Sequence, residues 1–257
     1  ASAVASTADP KQNFLNFFDA GDIPETLTES AKRWEWESES LFGAHVALKQ
    51  APDYTGQGEE DDANRALITF LGTHQTDQLL EHFEELQEGQ LPDPPLGHVT
   101  CASLFDRLQA CPGHHTGRWE CLVPYDADWE TIKDEYAERC LAEWRTYAPN
   151  VEPLFTISYP PTYIEQKNKS MVRGSFKHGA YSPLQMGYLR PNDMCSSCYT
   201  PIEGFYVCGA STYPGGMILG GGGYLGANII AEDFGLEKNW DEPDYITTAR
   251  EAGIITE

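Results

Sequence analysis

An α/β (α+β) fold follows from three features of the sequence. Strand-like and helix-like segments alternate along the 257 residues. One segment, 126–144, repeats large apolar residues at helical spacing. The last third runs through a strand, a glycine-rich loop and a helix of small residues in immediate succession. With 40% hydrophobic residues the chain can bury a sizeable core, in one large domain or two modest ones.

Residues 3–7 read as a short strand. Asp9 then suits a helix N-cap and Pro10 the first helical position, with Phe14, Leu15, Phe17 and Phe18 as the apolar face. A polar stretch follows, in which Trp34 and Trp36 would share one face of a strand. Residues 41–49 form a strand with Phe42, Val46 and Leu48 turned to the core, and 53–62 an acidic, glycine-containing loop. Residues 76–86 read as a helix capped by Thr76, with Leu79, Leu80 and Phe83 on one side; Pro92, Pro94 and Pro95 then break the chain. Strands at 98–104 and 118–125 flank a turn at 110–113. Asp126 is placed to cap the next helix, where Trp129, Ile132, Tyr136, Cys140 and Trp144 recur. Residues 152–159 form a further strand, ended by Pro160 and Pro161. From Gly174 onward glycine, tyrosine and proline dominate, and the tail 237–257 is polar and weakly patterned.

Charge narrows the function. Forty Asp and Glu against 17 Lys and Arg give a formal −23, which disfavours bare nucleic acid and an anionic membrane surface. Aromatics at 12% and 17 prolines argue against a disordered acidic tail. No apolar run has the length of a transmembrane segment, and no basic-then-apolar leader is visible. Seven cysteines in no framework read as reduced thiols, which places the chain in the cytoplasm. Cys195 and Cys198 form a lone CxxC without a second ligand pair, so no metal site is expected. His114 and His115 fall in a turn and would not face one ion.

The densest signal is 204–216 (GFYVCGASTYPGG) followed by 220–231 (GGGGYLGANIIA). Glycines there let backbone approach a flat or charged ligand, and the helix start offers unpaired N–H groups to an anion. The alternative is a tight strand–turn–helix corner with no ligand. This segment resembles the closing part of the phytoene desaturase and carotenoid isomerase branch of the FAD-dependent, amine-oxidase-like oxidoreductases. The resemblance extends to LPDPP at 91–95, PGHHT at 112–116, VPY at 123–125, QMGYLRP at 185–191 and ASAVASTADP at 1–10.

That resemblance implies the C-terminal half of a two-domain FAD-dependent oxidoreductase: a substrate domain plus the returning strand, loop and helix of the FAD-binding domain. Residues 1–20 and 171–235 would belong to the FAD-binding domain, 21–170 to the substrate domain, and 236–257 to a tail. It further implies FAD contacts from Gly209, Ala210, Pro214, Gly215, Gly216, Gly222, Gly223, Tyr224 and Ala227. Met217, Ile218 and Leu219 would face the substrate or pack as core. Acid–base candidates are weak: His178 and Tyr181, with His74 behind them.

A complete member of such a family carries a strand–GxGxxG–helix unit for the ADP half of FAD. The 257 residues hold none, since 220–223 is not followed by a second strand ending in the acidic ribose-binding residue about 20 positions on. The expectation is a heterodimer in which a second protein chain carries that unit, ahead of a processed precursor or a truncated chain; residues 3–7 would then pair in the partner's sheet. The implied substrate is a hydrophobic isoprenoid or alicyclic hydrocarbon, carotenoid- or monoterpene-like, that is desaturated, isomerised or hydroxylated. Two-chain relatives that attack a cyclic monoterpene such as limonene belong in that company. Arg173, Lys177 and Arg190 could make a local basic pocket. A flavin-free scaffold subunit and an amine-oxidase-like half are the competing readings.

Overall fold

Alternation of Phe42, Ala44, Val46 and Leu48 with smaller or polar residues builds a strand whose one face is buried. In the computed structural model, which describes residues 1–19, 21–57, 62–216 and 220–255, it is one of two ten-residue strands. The elements in chain order are β1 (Val4–Ser6), α1 (Glu25–Lys32), β2 (Glu39–Leu48), β3 (Thr69–Leu71), α2 (Thr76–Gln87), β4 (Gly97–Thr100) and β5 (His115–Pro124). There follow α3 (Trp129–Tyr147), β6 (Pro153–Tyr159), α4 (Pro161–Lys167), β7 (Phe205–Val207), α5 (Gly221–Asp233) and α6 (Asp244–Glu251). Helices and both parallel and antiparallel strands make this a mixed α/β (α+β) fold. The chain divides into two compact units: Ala1–Lys32 with Pro183–Glu257, and Arg33–Ser182.

The second unit is an antiparallel sheet in the order β3-β4-β5-β2-β6. Its buried face carries the even-numbered residues of β2 and Trp119, Cys121 and Val123 of β5, packed with the apolar stripe of α3. Trp129, Tyr136, Cys140 and Trp144 form that stripe, and Phe42 stacks on Trp129 with centroids 5.3 Å apart. Packing is tight enough that a Cβ on Gly117 would sit 2.9 Å from the Trp144 ring.

In the first unit β1 and β7 pair in parallel, Val4 opposite Phe205 and Ser6 opposite Val207. Residues 4–6 therefore pair with a strand of this same chain, where the sequence leads to pairing in another chain's sheet. Phe14, Ile23, Leu27, Ala31, Cys195, Phe205 and Val207 pack beside the pair. Asp9 caps the helical segment after β1 as anticipated, its carboxylate accepting from the N–H groups of Lys11 (2.9 Å) and Gln12 (3.1 Å). A π-helical turn over Gln12–Asn16 then rotates the faces, so Phe14 is buried while Phe17 is 55% exposed.

Several expectations are corrected. No strand forms around Trp34 and Trp36; Trp34 is buried and donates Nε1–H to the His178 carbonyl at 3.0 Å. Asp126 does not cap α3, whose N-cap position is Asp128, without a side-chain cap; Asp126 pairs with Arg173 at 2.6 Å instead. Gln75, not Thr76, precedes α2, with the Gln78 side chain accepting from the Gln75 N–H at 3.1 Å. The face expected for α2 is also wrong: His82 and Leu86 are buried, whereas Leu79, Leu80 and Phe83 are exposed. The strand expected over 98–104 stops at Thr100 and becomes a 3₁₀ turn, and Pro161 opens α4 after β6 ends.

Candidate functional site

The glycine-rich corner lies wholly within the first unit. β7 ends at Val207, and a loop held by Thr212 N–H to Gly209 O (3.0 Å) and Gly215 N–H to Thr212 O (2.7 Å) leads towards α5. Gly215 sits at φ +111°, which suits glycine alone. α5 begins after Gly220, whose lack of a side chain provides no cap, and carries no acidic residue in its first turn, so its positive end favours negative charge.

Its glycines are of two kinds. A Cβ on Gly222 would meet Cys208 O at 2.8 Å, one on Gly226 would meet Cys208 Cβ at 2.7 Å, and one on Gly209 would meet Thr7 O at 2.4 Å. Their absent side chains let α5, β7 and the loop after β1 approach closely, and the fold explains them. Gly223 differs: a Cβ there meets nothing within 4 Å. Ala227, one turn on, is exposed on the same face, with Tyr224 half-buried beside it. Pro214 packs its ring against Gly221, where a Cβ would lie 2.7 Å away. Ala210 and Gly216 are half-buried in the loop, and 217–219 lie outside the described residues.

Two observations test whether this corner fits a flavin. The Thr212 side chain is 0% exposed and its Oγ1 has no hydrogen-bond partner, an expensive state unless something else satisfies it. At Gly223 and Ala227 the helix carries nothing larger than a methyl group, so a flat group can lie close to the backbone there. Both fit a group that brings its own polar atoms.

Arg190 braces the loop. It is 0% exposed, and its guanidinium donates from Nε and Nη2 to Ala210 O (both 3.1 Å) and from Nη1 to Gln185 O (2.9 Å). It is therefore not part of a free basic pocket. Arg173 and Lys177, in the other unit, are likewise engaged, with Asp126 and Glu37. Cys195 and Cys198 are fully buried, and burial pushes their thiols up to about 12 and about 11, away from thiolate chemistry. Among the described residues no group of three His, Cys, Asp or Glu could hold a metal ion. His114 Nδ1 lies 3.2 Å from Pro112 O and His115 Nδ1 3.1 Å from Ser103 Oγ, so the two rings have separate partners.

Of the acid–base candidates, His178 is buried in the second unit at φ +55°, and Tyr181 is half-buried three residues on. His74 meets the Tyr147 hydroxyl at 3.2 Å on the surface. A denser cluster, missed by reasoning from sequence, lies on the open face of the five-stranded sheet. There, register places His98 opposite Glu120, Thr100 opposite Arg118, and Arg118 opposite His45. Glu120 accepts from His98 (2.9 Å) and Arg118 (3.0 Å), and the His45 ring packs on Tyr159 with centroids 4.5 Å apart. The period-2 alternation of β5 is the available signal, because Thr116, Arg118 and Glu120 alternate with the core residues.

Burial, then the Arg118 charge, holds His45 below its ordinary 6.5 against the opposing pull of Glu120. Burial pushes Glu120 up, but the His98 hydrogen bond and the Arg118 charge outweigh it and keep the carboxyl below its usual range. In both cases the unfolded chain binds the proton more readily, for His45 below pH 6.5 and for Glu120 below 4.5. Stability therefore falls as pH drops through each window. The urea midpoint should be lower at pH 5 than at pH 7. His45→Gln should shrink that difference, leaving the part due to His82, which burial shifts the same way. An unchanged difference would show that His45 does not titrate as its surroundings demand.

No protein-family model matches the chain. It is 40% identical to a subunit of the limonene dehydrogenase of Castellaniella defragrans over 268 aligned positions, covering 99% of this chain and 49% of that protein. It is 28% identical to a lycopene-forming phytoene desaturase of a Paracoccus species, over 86% of this chain and 42% of that protein. An oxidoreductase of Methanosarcina mazei aligns with a TM-score of 0.48 at 14% identity, over 90% of this chain and 43% of that one. The resemblance carried by the 204–231 motif is thus matched along nearly the whole chain. The chain spans about half the length of the curated relatives it matches.

Proposed function

We propose that this chain is part of a heteromeric FAD-dependent oxidoreductase, a flavoprotein acting on a hydrophobic isoprenoid or alicyclic hydrocarbon of carotenoid or monoterpene type. The observation that carries this reading is the corner at α5. A parallel strand pair of three residues each runs into an uncapped helix start whose outer face, at Gly223, is bare. Two short parallel strands are not a stable sheet by themselves. We read them as one edge of a larger sheet, completed by the strand–GxGxxG–helix unit that binds the ADP half of FAD. The name of the relative, a dehydrogenase subunit for limonene, supports both a terpene substrate and a second protein chain.

A flavin held there would supply two-electron chemistry: removing a hydride from a substrate C–H would give a desaturated product if a proton is also lost, a hydroxylated one if water adds and loses a proton, and an isomerised one only if the hydride is returned. The chain's own contribution is positional. The first N–H groups of α5 favour negative charge on the group they face. Gly223 and Ala227 admit a flat ring against backbone, and the Thr212 hydroxyl supplies a buried polar contact. Pro214, Gly215 and Gly216 shape the loop, with Arg190 holding it.

Expression with a partner carrying GxGxxG should give yellow protein with a flavin absorption band. The chain alone should be colourless or poorly soluble, since the pair's outer edges and Val4 are left uncovered. A soluble monomer binding FAD one to one by itself would overturn the two-chain reading.

A further inference from the structure

The open face of the sheet in the second unit carries polar atoms that the fold itself leaves unsatisfied. Arg118 Nε and Thr116 Oγ1 are buried and have no hydrogen-bond partner. They stand two residues apart on β5, and so on one face. An open cavity of about 430 Å³ adjoins them, with Leu67, Ile68 and Ala102 on its apolar side and His45 among its lining residues. Leu67 and Ile68 are both at least half exposed, although the residues around them are folded.

We propose that this cavity binds a neutral, largely apolar molecule bearing a single carbonyl or hydroxyl oxygen. The oxygen accepts from Arg118 Nε–H and the Thr116 hydroxyl, and the carbon skeleton lies on Leu67, Ile68 and Ala102. Neutrality follows from the charges already present. Glu120 balances the Arg118 guanidinium at 3.0 Å and also takes His98 at 2.9 Å, so a carboxylate ligand would meet Glu120 and an ammonium ligand Arg118. His45, held uncharged at neutral pH by burial and by Arg118, adds no net charge. The volume falls in the usual range for small-molecule sites, about 300–1,000 Å³. The unpaired donors argue for an oxygen on the ligand, because a plain hydrocarbon would leave both unsatisfied.

The inference rests on the proposed function only in taking this ligand for a substrate or product of the flavin chemistry; its binding is tested without turnover. The probes are cyclohexanone and methylenecyclohexane, which share a shape and differ in the oxygen. In the purified protein labelled at histidine, cyclohexanone should shift the His45 ring resonances saturably. Thr116→Val should weaken cyclohexanone about five- to tenfold and leave methylenecyclohexane unchanged or tighter. Ala102→Trp, which fills the apolar side without touching the Arg118–Glu120 pair, should abolish the shift. No saturable shift, or a Thr116→Val effect equal for both probes, overturns the site. Protein that never takes up flavin yet shows the oxygen-dependent binding keeps this site and removes the proposed function. Flavin-loaded protein that fails the cyclohexanone titration does the reverse.

Discussion

Gly223→Val should lower flavin content about tenfold or more while leaving the melting temperature nearly unchanged. The valine Cβ meets no atom of the described residues within 4 Å, so the fold has room for it. Valine is also a slightly better helix residue than glycine. A flat ring lying against the start of α5 would have to retreat from it. The neighbouring position supplies the contrast: Gly222→Val drives a side chain into Cys208 O, 2.8 Å from its Cβ, and should unfold the corner. Gly215 is a poor probe, because at φ +111° any side chain strains the backbone whether or not a ligand is present. The measurement is the ratio of visible flavin to protein absorbance, with a thermal melt of each variant. Full flavin content in Gly223→Val would remove the cofactor from this helix.

Arg190→Met should destabilise the first unit by about 2–5 kcal/mol, the cost of two buried carbonyls left without a donor. Methionine matches much of the volume but leaves the Ala210 and Gln185 carbonyls without their charged donor in a dry setting. Arg190→Lys should recover only part of this, since an ammonium cannot reproduce a guanidinium that reaches two carbonyls at once. Denaturant unfolding gives the magnitude. Hydrogen exchange at Tyr213, whose N–H donates to Arg190 O at 3.2 Å, reports whether the loop opens first. A loss under about 1 kcal/mol would mean the guanidinium is replaceable by water.

What can be read from the sequence divides along physical lines. The α3 stripe is legible because Trp129, Tyr136, Cys140 and Trp144 are large and regularly spaced. Its cap is not, because Asp126 and Asp128 are equivalent on paper and only Arg173, 47 residues away, decides between them. α1 escapes notice because just Leu27 and Ala31 of its eight residues are buried, too few to set a period. α6 buries none. On α2 three of the four large apolar side chains, Leu79, Leu80 and Phe83, are exposed, so an apolar pattern points to the wrong face. The corner at 204–231 is legible as a motif, but the division of its glycines into packing and bare positions needs coordinates. The His45–Arg118–Glu120–His98 cluster is invisible for a different reason. It is drawn from three strands, and cross-strand register is not written in any one of them.

The parallel pairing of β1 with β7 also fixes an order of events during synthesis. Val4 must wait for Phe205, about 200 residues later in the chain. At ~5–20 residues per second that is a delay of about 10 to 40 s. Within it the whole of Arg33–Ser182 emerges and can fold, since all its strand partners are internal. The segment Ala1–Lys32, with Phe14 and Leu27 not yet covered, spends that interval as a sticky, unpaired thread. Nascent chains should therefore recruit a holdase at this segment and release it only when Phe205–Val207 clears the ribosome. A translational pause placed shortly before that point would lower the yield of native protein more than the same pause placed after it.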